Sequence, residues 1–383
     1  MLAQTLEFRP ERDAEVFAAA PAASAVFLLR GPEGEPYVSK TANLRRRLQR
    51  LLAPPEERSK RLNLRPRVSQ IQYTRTGSDF EAGLLLYRVL RQTFPQAYRE
   101  RMKLRFAPLV RLNLDNPYPR AYITRRVAGL KGKSLYYGPF PTRAAAEKFL
   151  NDSLDQFKAR RCDFDLYPDP AFPGCIYSEM KMCLAPCFKG CTDEEYVAEV
   201  ARVQAWLDSG GQSLVRELET QRERASGELA FEQAATLHAR IEKAQGIAGP
   251  LPEIVRRLDR LSGVMVQPSA EPEAVALLRF AGGRLGQPIA FPVQARAEGK
   301  MQSMESRVTE CLADHPAPRP GSALELMEEL ALLKRWYYRS SRVGEIFFTD
   351  DQGELPLRRL VRGISRVFKG EREPPSSSIT KAD

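Results

Sequence analysis

The chain has 383 residues, 43% of them hydrophobic and 28% charged, which is the balance of a soluble globular protein with room for two or three domains. Lysine and arginine number 59 against 48 acids, a net charge of +11 that suits a polyanionic partner, because neutralising phosphates releases condensed counterions. Only two histidines occur, His238 and His315, which removes most histidine-dependent chemistry: Ser-His-Asp triads, HExxH zinc hydrolases and His-activated cysteine nucleophiles.

Ala25 to Arg30 (AVFLLR) reads as a buried strand, followed by the loop GPEGEP and a short second strand, Tyr37-Val38-Ser39, as in a β-hairpin. Leucines at 44, 48, 51 and 52 make one apolar stripe of a helix that Pro54-Pro55 stops. Arg67 to Arg75 alternates like a strand. Phe80 to Phe94 is apolar and helical, with Asp79 or Ser78 available as N-cap. Strands are expected at Leu109–Leu114 and Ala121–Thr124, and an amphipathic helix over Thr142–Phe157.

Five of the six cysteines then crowd together as Cys162-x12-Cys175-x7-Cys183-x3-Cys187-x3-Cys191, with Cys311 far away. Thiolates at such spacing can converge on one soft metal centre, zinc or an iron–sulfur cluster. The N-terminus MLAQTLEFRPERDAEVF has early acids and no signal-peptide core, and no apolar run could span a bilayer. A cytoplasmic protein with no membrane partner is therefore expected, and in a reducing cytosol clustered cysteines favour metal over disulfides.

Beyond the cysteines, Asp193-Glu194-Glu195 opens a helix to about Leu207, which Gly210-Gly211 breaks. Ser213 to Ala244 has helical periodicity with Gly227 in its middle and a change of phase near Leu229-Phe231, which predicts a helical hairpin. Strands follow at Gly263–Val266, Ala274–Phe280 and Pro288–Val293, then a helix over Leu324–Tyr338 and a strand at Glu345–Phe348. The polar, proline-rich tail Glu371–Asp383 reads as disordered. Two basic groups stand out: Arg45, Arg46, Arg47, Arg50, Arg58, Lys60, Arg61, Arg65 and Arg67, then Arg99, Arg101, Lys103 and Arg105.

Four stretches, in order, resemble the N-terminal two-thirds of the excinuclease ABC (UvrC) family. The hairpin and helix from Val26 to Leu48 are similar to a GIY-YIG nuclease signature, and Tyr136-Tyr137-Gly138-Pro139-Phe140-Pro141 is like the stretch that follows it in this family. The Cys-Leu-Ala-Pro-Cys run with Asp193-Glu194-Glu195-Tyr196 resembles the family's four-cysteine region, and Leu229 to Leu237 resembles its UVR motif. The resemblance implies a [4Fe–4S] cluster on Cys162, Cys175, Cys183 and Cys187, with zinc as the alternative and Cys191 as an extra thiol. It also implies that Leu229, Phe231, Glu232, Ala234, Ala235 and Leu237 dock the helicase subunit of the excision-repair system. The family continues with a ribonuclease-H-like nuclease and helix-hairpin-helix units that this sequence does not reach, so two incisions by two nuclease domains are not expected of it.

A GIY-YIG site needs a phenol near the scissile phosphate, cations for developing charge and a carboxylate for a divalent metal. By the resemblance, Tyr37, Lys40 and Arg47 are the catalytic remnant. Ala25, Phe27 and Ser39 depart from the two triplets, and the metal-binding glutamate position is Leu86, which cannot ligate a hard cation. Glu81, five residues earlier on the helix, is rotated by about 140° from it. The expected asparagine after this helix is absent, with Tyr98 or a neighbour in its place.

The expectation is an α/β (α+β) chain. Its parts are a degenerate GIY-YIG-like unit with a small mixed sheet at 14–105, a linker and cysteine module at 106–195, a UVR hairpin at 196–248, and a truncated mixed α/β region at 250–368. A disordered tail occupies 369–383. The favoured function is a DNA-binding accessory factor in nucleotide excision repair, with Arg45, Arg46 and Arg50 facing double-stranded DNA and the nuclease inactive. The alternatives are a single-incision endonuclease using Mg²⁺, with Asp79 a candidate ligand, and an adaptor that binds the helicase subunit but not DNA.

Overall fold

A computed structural model describes residues 2–54, 62–128, 132–294 and 302–371. Of the basic residues singled out above, Arg58, Lys60 and Arg61 lie outside the described residues, as does all but the start of the C-terminal tail.

The N-terminal unit comprises β1 (Gln4–Glu7), α1 (Asp13–Ala19), β2 (Ala25–Arg30), β3 (Tyr37–Thr41), α2 (Leu44–Leu52), β4 (Gln70–Arg75), α3 (Asp79–Thr93) and the short α4 (Tyr98–Met102). Its strands are ordered β1-β4-β2-β3, and each pairing is antiparallel, so the sheet expected to be mixed is not. The unit also starts earlier than residue 14. Gln4–Glu7 is a short, mostly exposed edge strand whose polarity hid it in the sequence.

Strand alternation sorts β2 between two helical layers. Ala25, Phe27 and Leu29 face α2, where Leu44, Leu48, Leu51 and Leu52 are buried against them. Each such leucine contributes about 2 kcal/mol by leaving water. Val26 and Leu28 face α3 and meet Ala82 and Val89. Asn43 caps α2 by accepting the Arg46 N–H, and Ser78 caps α3 by accepting the Glu81 N–H.

The middle unit is an antiparallel sheet of β5 (Leu109–Asn113), β6 (Arg120–Thr124) and β7 (Leu135–Gly138), backed by α5 (Arg143–Leu154). The cysteine segment follows, with a single turn α6 (Ile176–Glu179), then α7 (Asp193–Asp208) behind a Thr192–Glu195 capping box. Helices α8 (Gln212–Gly227) and α9 (Phe231–Ala248) form the expected hairpin, turning at Leu229 with φ +59°. Trp206 of α7, wholly buried, donates its indole N–H to Ser153 at 2.9 Å, which locks α7 to α5.

The chain then adds β8 (Arg256–Arg257) to the middle sheet before building β9 (Gly263–Pro268), β10 (Ala274–Ala281), β11 (Arg284–Pro292), α10 (Met304–Asp314), α11 (Ala323–Tyr337), β12 (Glu345–Phe348) and α12 (Leu357–Lys369). The C-terminal sheet has the order β11-β10-β9-β12, antiparallel throughout. Helices α10 and α12 cover one face, through Val308, Leu360 and Ile364, and α11 covers the other, through Leu330 and Leu333.

Helix α11 also carries the interface with the N-terminal unit. Glu328, fully buried, accepts the Tyr87 hydroxyl at 2.7 Å and the Tyr98 hydroxyl at 2.6 Å. Around it, Arg91 pairs with Glu325, and Arg88 donates to the carbonyls of Leu285 and Gly286. Tyr98 is thus part of a packed interface.

Candidate functional site

Tyr37 opens β3 on the α2 face, and Arg47 of α2 donates to its hydroxyl at 2.8 Å. Phe27 lies beside Tyr37 with ring centroids 6.0 Å apart and is fully buried. Lys40, three residues along the strand, faces α3 instead and bonds the Asp79 carboxylate. The structure therefore joins Tyr37 to Arg47 and draws Lys40 to a different partner.

Leu86 is half-buried and lines a cavity with Lys40 and Asp79. Asp79, the one carboxylate among the described residues of that lining, also accepts Arg339 at 2.8 Å. Burial pushes its pKa up, but Lys40 and Arg339 outweigh this and hold it below the usual range. Glu81 accepts the Gly77 N–H at 2.7 Å at the start of α3, so it serves the helix end rather than the cavity.

On α2, Arg45 donates to the carbonyls of Ala20 and Ala18 at 2.9 and 3.1 Å, which satisfies the end of α1. That ties its guanidinium to the protein's own backbone. Arg46 and Arg50 are exposed on the outer face of the helix and have no hydrogen-bond or ion-pair partner among the described residues. Arg65 pairs with Asp13, and Arg101 pairs with Glu35 while lying over the Phe94 ring.

The cysteine segment folds so that Cys162, Cys175, Cys183 and Cys187 line one small cavity, while Cys191 does not contribute to it. Three non-glycine residues, Lys181, Ala185 and Lys189, adopt left-handed φ values of 56°, 57° and 59° to make these turns. The Ala185 N–H donates to Cys183 Sγ at 3.3 Å, and the buried Arg160 guanidinium donates to Cys162 Sγ at 3.4 Å. Burial pushes the Cys183 thiol up to about 11, and its three cysteine neighbours add to the shift. Among the described residues, no three His, Cys, Asp or Glu side chains already stand in metal-holding geometry. The donor set itself, four sulfurs around one cavity with N–H groups donating to two of them, is of the kind that suits a soft centre such as zinc or iron–sulfur.

On the hairpin, Leu229 and Phe231 are 71% and 65% exposed, and Glu232 and Ala235 are exposed beside them. Leu237, expected on the same surface, is only 6% exposed and packs inward with Ile241 and Ala244 in the core shared with α8. Ala234 is half-buried against the same core. The exposed apolar surface of this hairpin is therefore its turn and first helical turn. His238 is exposed and 3.6 Å from Glu242, and His315 bonds the Cys311 carbonyl at the end of α10.

Sequence reasoning missed Gln267 on β9, which lines the Leu86 cavity from the C-terminal sheet. Its only signal was a polar residue inside an apolar strand run.

A sheet-and-helix unit, a cysteine-bearing middle unit and a helical hairpin thus follow one another along the chain. The family described as "UvrC/Cho excinuclease, middle domain" matches residues 107–206, which span β5 to most of α7. The chain is similar to the UvrABC system protein C of Idiomarina loihiensis, 31% identical over 213 residues, covering 54% of this chain and 33% of the relative. It is also similar to those of Carboxydothermus hydrogenoformans, at 28% over 278 residues (70% and 44%), and Stenotrophomonas maltophilia, at 26% over 343 residues (84% and 54%). The family match over the middle unit and these relatives support a UvrC-family protein. The chain spans only about a third to a half of these relatives' length. No solved structure matches it. Among the described residues, no helix is long and apolar enough to cross a membrane.

Proposed function

We propose that this chain is a nucleotide excision repair protein of the cytoplasm that binds double-stranded DNA as an accessory factor and does not cut it. The observation that carries this reading is the Leu86 cavity. An aliphatic side chain stands where the resemblance calls for a metal-binding glutamate, and the one nearby carboxylate, Asp79, is bonded to both Lys40 and Arg339. The preserved Tyr37–Arg47 pair supplies a phenol and a cation but no ligand for a hard metal.

In this reading Arg46 and Arg50 contact DNA phosphates, and the exposed hairpin turn at Leu229, Phe231 and Glu232 docks the excision-repair helicase subunit. Cys162, Cys175, Cys183 and Cys187 hold a [4Fe–4S] cluster whose role is structural. When bound, it would staple a proline- and glycine-rich stretch that has little core of its own.

The deciding experiment incubates the purified chain with supercoiled plasmid and lesion-bearing duplex in Mg²⁺ or Mn²⁺. Salt-sensitive binding without nicking is expected. Metal-dependent nicking that Tyr37→Phe abolishes would instead establish a single-incision endonuclease, and helicase-subunit binding without DNA binding would establish an adaptor.

A further inference from the structure

Basic residues are not spread evenly over the helices. Helix α12 carries Arg358, Arg359, Arg362, Arg366 and Lys369 and no acid, and α2 carries Arg45, Arg46, Arg47 and Arg50 and no acid. On α2, Arg46 and Arg50 already serve the duplex-binding reading. Nothing in the function proposed above uses α12.

Helical spacing puts Arg358, Arg362 and Lys369 on one face of α12. All three are exposed. Arg358 and Arg362 have no hydrogen-bond or ion-pair partner among the described residues, and Lys369 reaches only the exposed Glu371, at 4.0 Å. Arg366, beside them, is instead bonded to the buried Glu345. Arg359 lines a separate pocket with Asp350, Asp351 and Glu354. The placement is unfavourable for the helix itself. Arg358 and Arg359 stand in the first turn, where the dipole favours acids, and no side chain caps that end. Like charges four residues apart also repel. An external polyanion relieves both.

A basic amphipathic helix suits either an anionic membrane surface or a nucleic acid, and its opposite face decides between them. Leu360, Ile364 and Val367 are buried against the C-terminal sheet, in one core with Val264, Leu277 and Phe347. A helix whose apolar face is sealed onto its own sheet has nothing to insert among lipids. Only its charges are on offer, and guanidinium groups suit phosphate.

Position separates this face from α2. The layers run α2, the N-terminal sheet, α3, α11, the C-terminal sheet and α12. Phe80 of α3 and Trp336 of α11 join the two middle helices, with ring centroids 5.7 Å apart. The two basic helices are therefore outer layers on opposite sides of the stack, about 50 Å apart at about 10 Å per layer. The persistence length of duplex DNA is about 150 bp, so a short duplex stays nearly straight and lies against only one of them. We propose that the exposed face of α12 is a second surface for the backbone of duplex DNA, with Arg358 and Arg362 on phosphates, so that one chain holds two duplex segments at once. This rests on the duplex-binding reading above and goes beyond it.

The test uses the full chain and duplexes of about 20 bp, far below that persistence length. One duplex is immobilised, a second is labelled, and retention of the label through the protein reports bridging. Anisotropy gives the affinity for the labelled duplex alone. Wild type is expected to bridge. Bridging should fall at least tenfold in Arg358→Ala/Arg362→Ala and in Arg46→Ala/Arg50→Ala, while each double variant still binds one duplex. Combining all four should abolish binding. Arg358→Ala/Arg362→Ala should melt at an unchanged or raised temperature, and Arg358→Lys/Arg362→Lys should bridge like wild type, which separates lost charge from lost fold. The proposal is overturned if the alanine variant bridges like wild type, or if its only change is lost binding to phosphatidylserine vesicles. A wild-type chain that binds one duplex but bridges nothing also overturns it and leaves the α2 reading standing. A chain that binds no duplex refutes that reading as well.

Discussion

Arg339 donates to the carboxylate of Asp79 at 2.8 Å, joining the segment after α11 to the first residue of α3 across 260 positions of sequence. The same carboxylate bonds Lys40 of β3, so the polar edge of the N-terminal sheet and the C-terminal region meet on one side chain. Both sides of that junction are exposed, and its ion pairs alone contribute little. Its importance is where it stands: at the mouth of the cavity that holds Leu86 and Gln267.

The stronger link between these units is Glu328. Glu328→Leu should leave the Tyr87 and Tyr98 hydroxyls without an acceptor and cost about 3 kcal/mol, read from the urea midpoint. Combining it with Tyr87→Phe and Tyr98→Phe should recover most of the loss, because no buried donor is then left unpaired. A triple variant no more stable than the single one would show that packing, not hydrogen bonding, decides this site.

Acid should weaken the same interface. Burial raises the Glu325 pKa, but the Ser322 N–H and the Arg91 and Arg284 guanidiniums outweigh it and hold the carboxyl down to about 2, from an ordinary 4.5. A depressed folded pKa means that the stabilisation is complete above the unfolded value and is lost as pH falls from 4.5 toward 2. With solvent screening allowed for, the contribution is about 1 kcal/mol. Glu325→Gln should be less stable at neutral pH and show a shallower loss across that window in a pH series of thermal melts.

The cysteine module gives a spectroscopic prediction. Protein purified without oxygen should be brown, with a visible sulfur-to-iron absorption band that disappears in Cys183→Ser and persists in Cys191→Ser, since Cys191 lies outside the shared cavity. A colourless protein carrying one zinc per chain would overturn the iron assignment and keep the four ligands.

On the basic face of α2, Arg46→Ala and Arg50→Ala should each weaken duplex binding without changing the melting temperature. Each should also lower the slope of log affinity against log salt by about 1. Arg45→Ala should act differently, lowering stability by about 1 kcal/mol because two carbonyls at the end of α1 lose their donor. Equal effects of all three on DNA binding alone would contradict the structure's separation of Arg45 from the other two.

Much of the fold was legible locally. The leucine stripe of α2, the cap at Ser78, the Gly282-Gly283 turn and the hairpin around Gly227 are each written within a few residues, where side-chain period and backbone preference act. Elements were lost where that signal is short or polar, as at Gln4–Glu7 and Tyr98–Met102. The candidate site was legible as a list of residues, with Leu86 and the four cysteines among them. Their partners were not, because a hydrogen bond across 260 positions leaves no local pattern.

By itself, then, the sequence determined the order of the elements, the chemistry of the cysteine donors and the aliphatic side chain at position 86. The tertiary structure alone decided that Leu237 turns inward and that Arg45 is drawn onto the end of α1. It also decided that Asp79 is shared by Lys40 and Arg339, and that Gln267 is sealed without a partner beside them. The reason is physical. Periodicity tells which face of a helix or strand is apolar, but whether a side chain on it ends up paired, buried or open depends on which distant element closes over it.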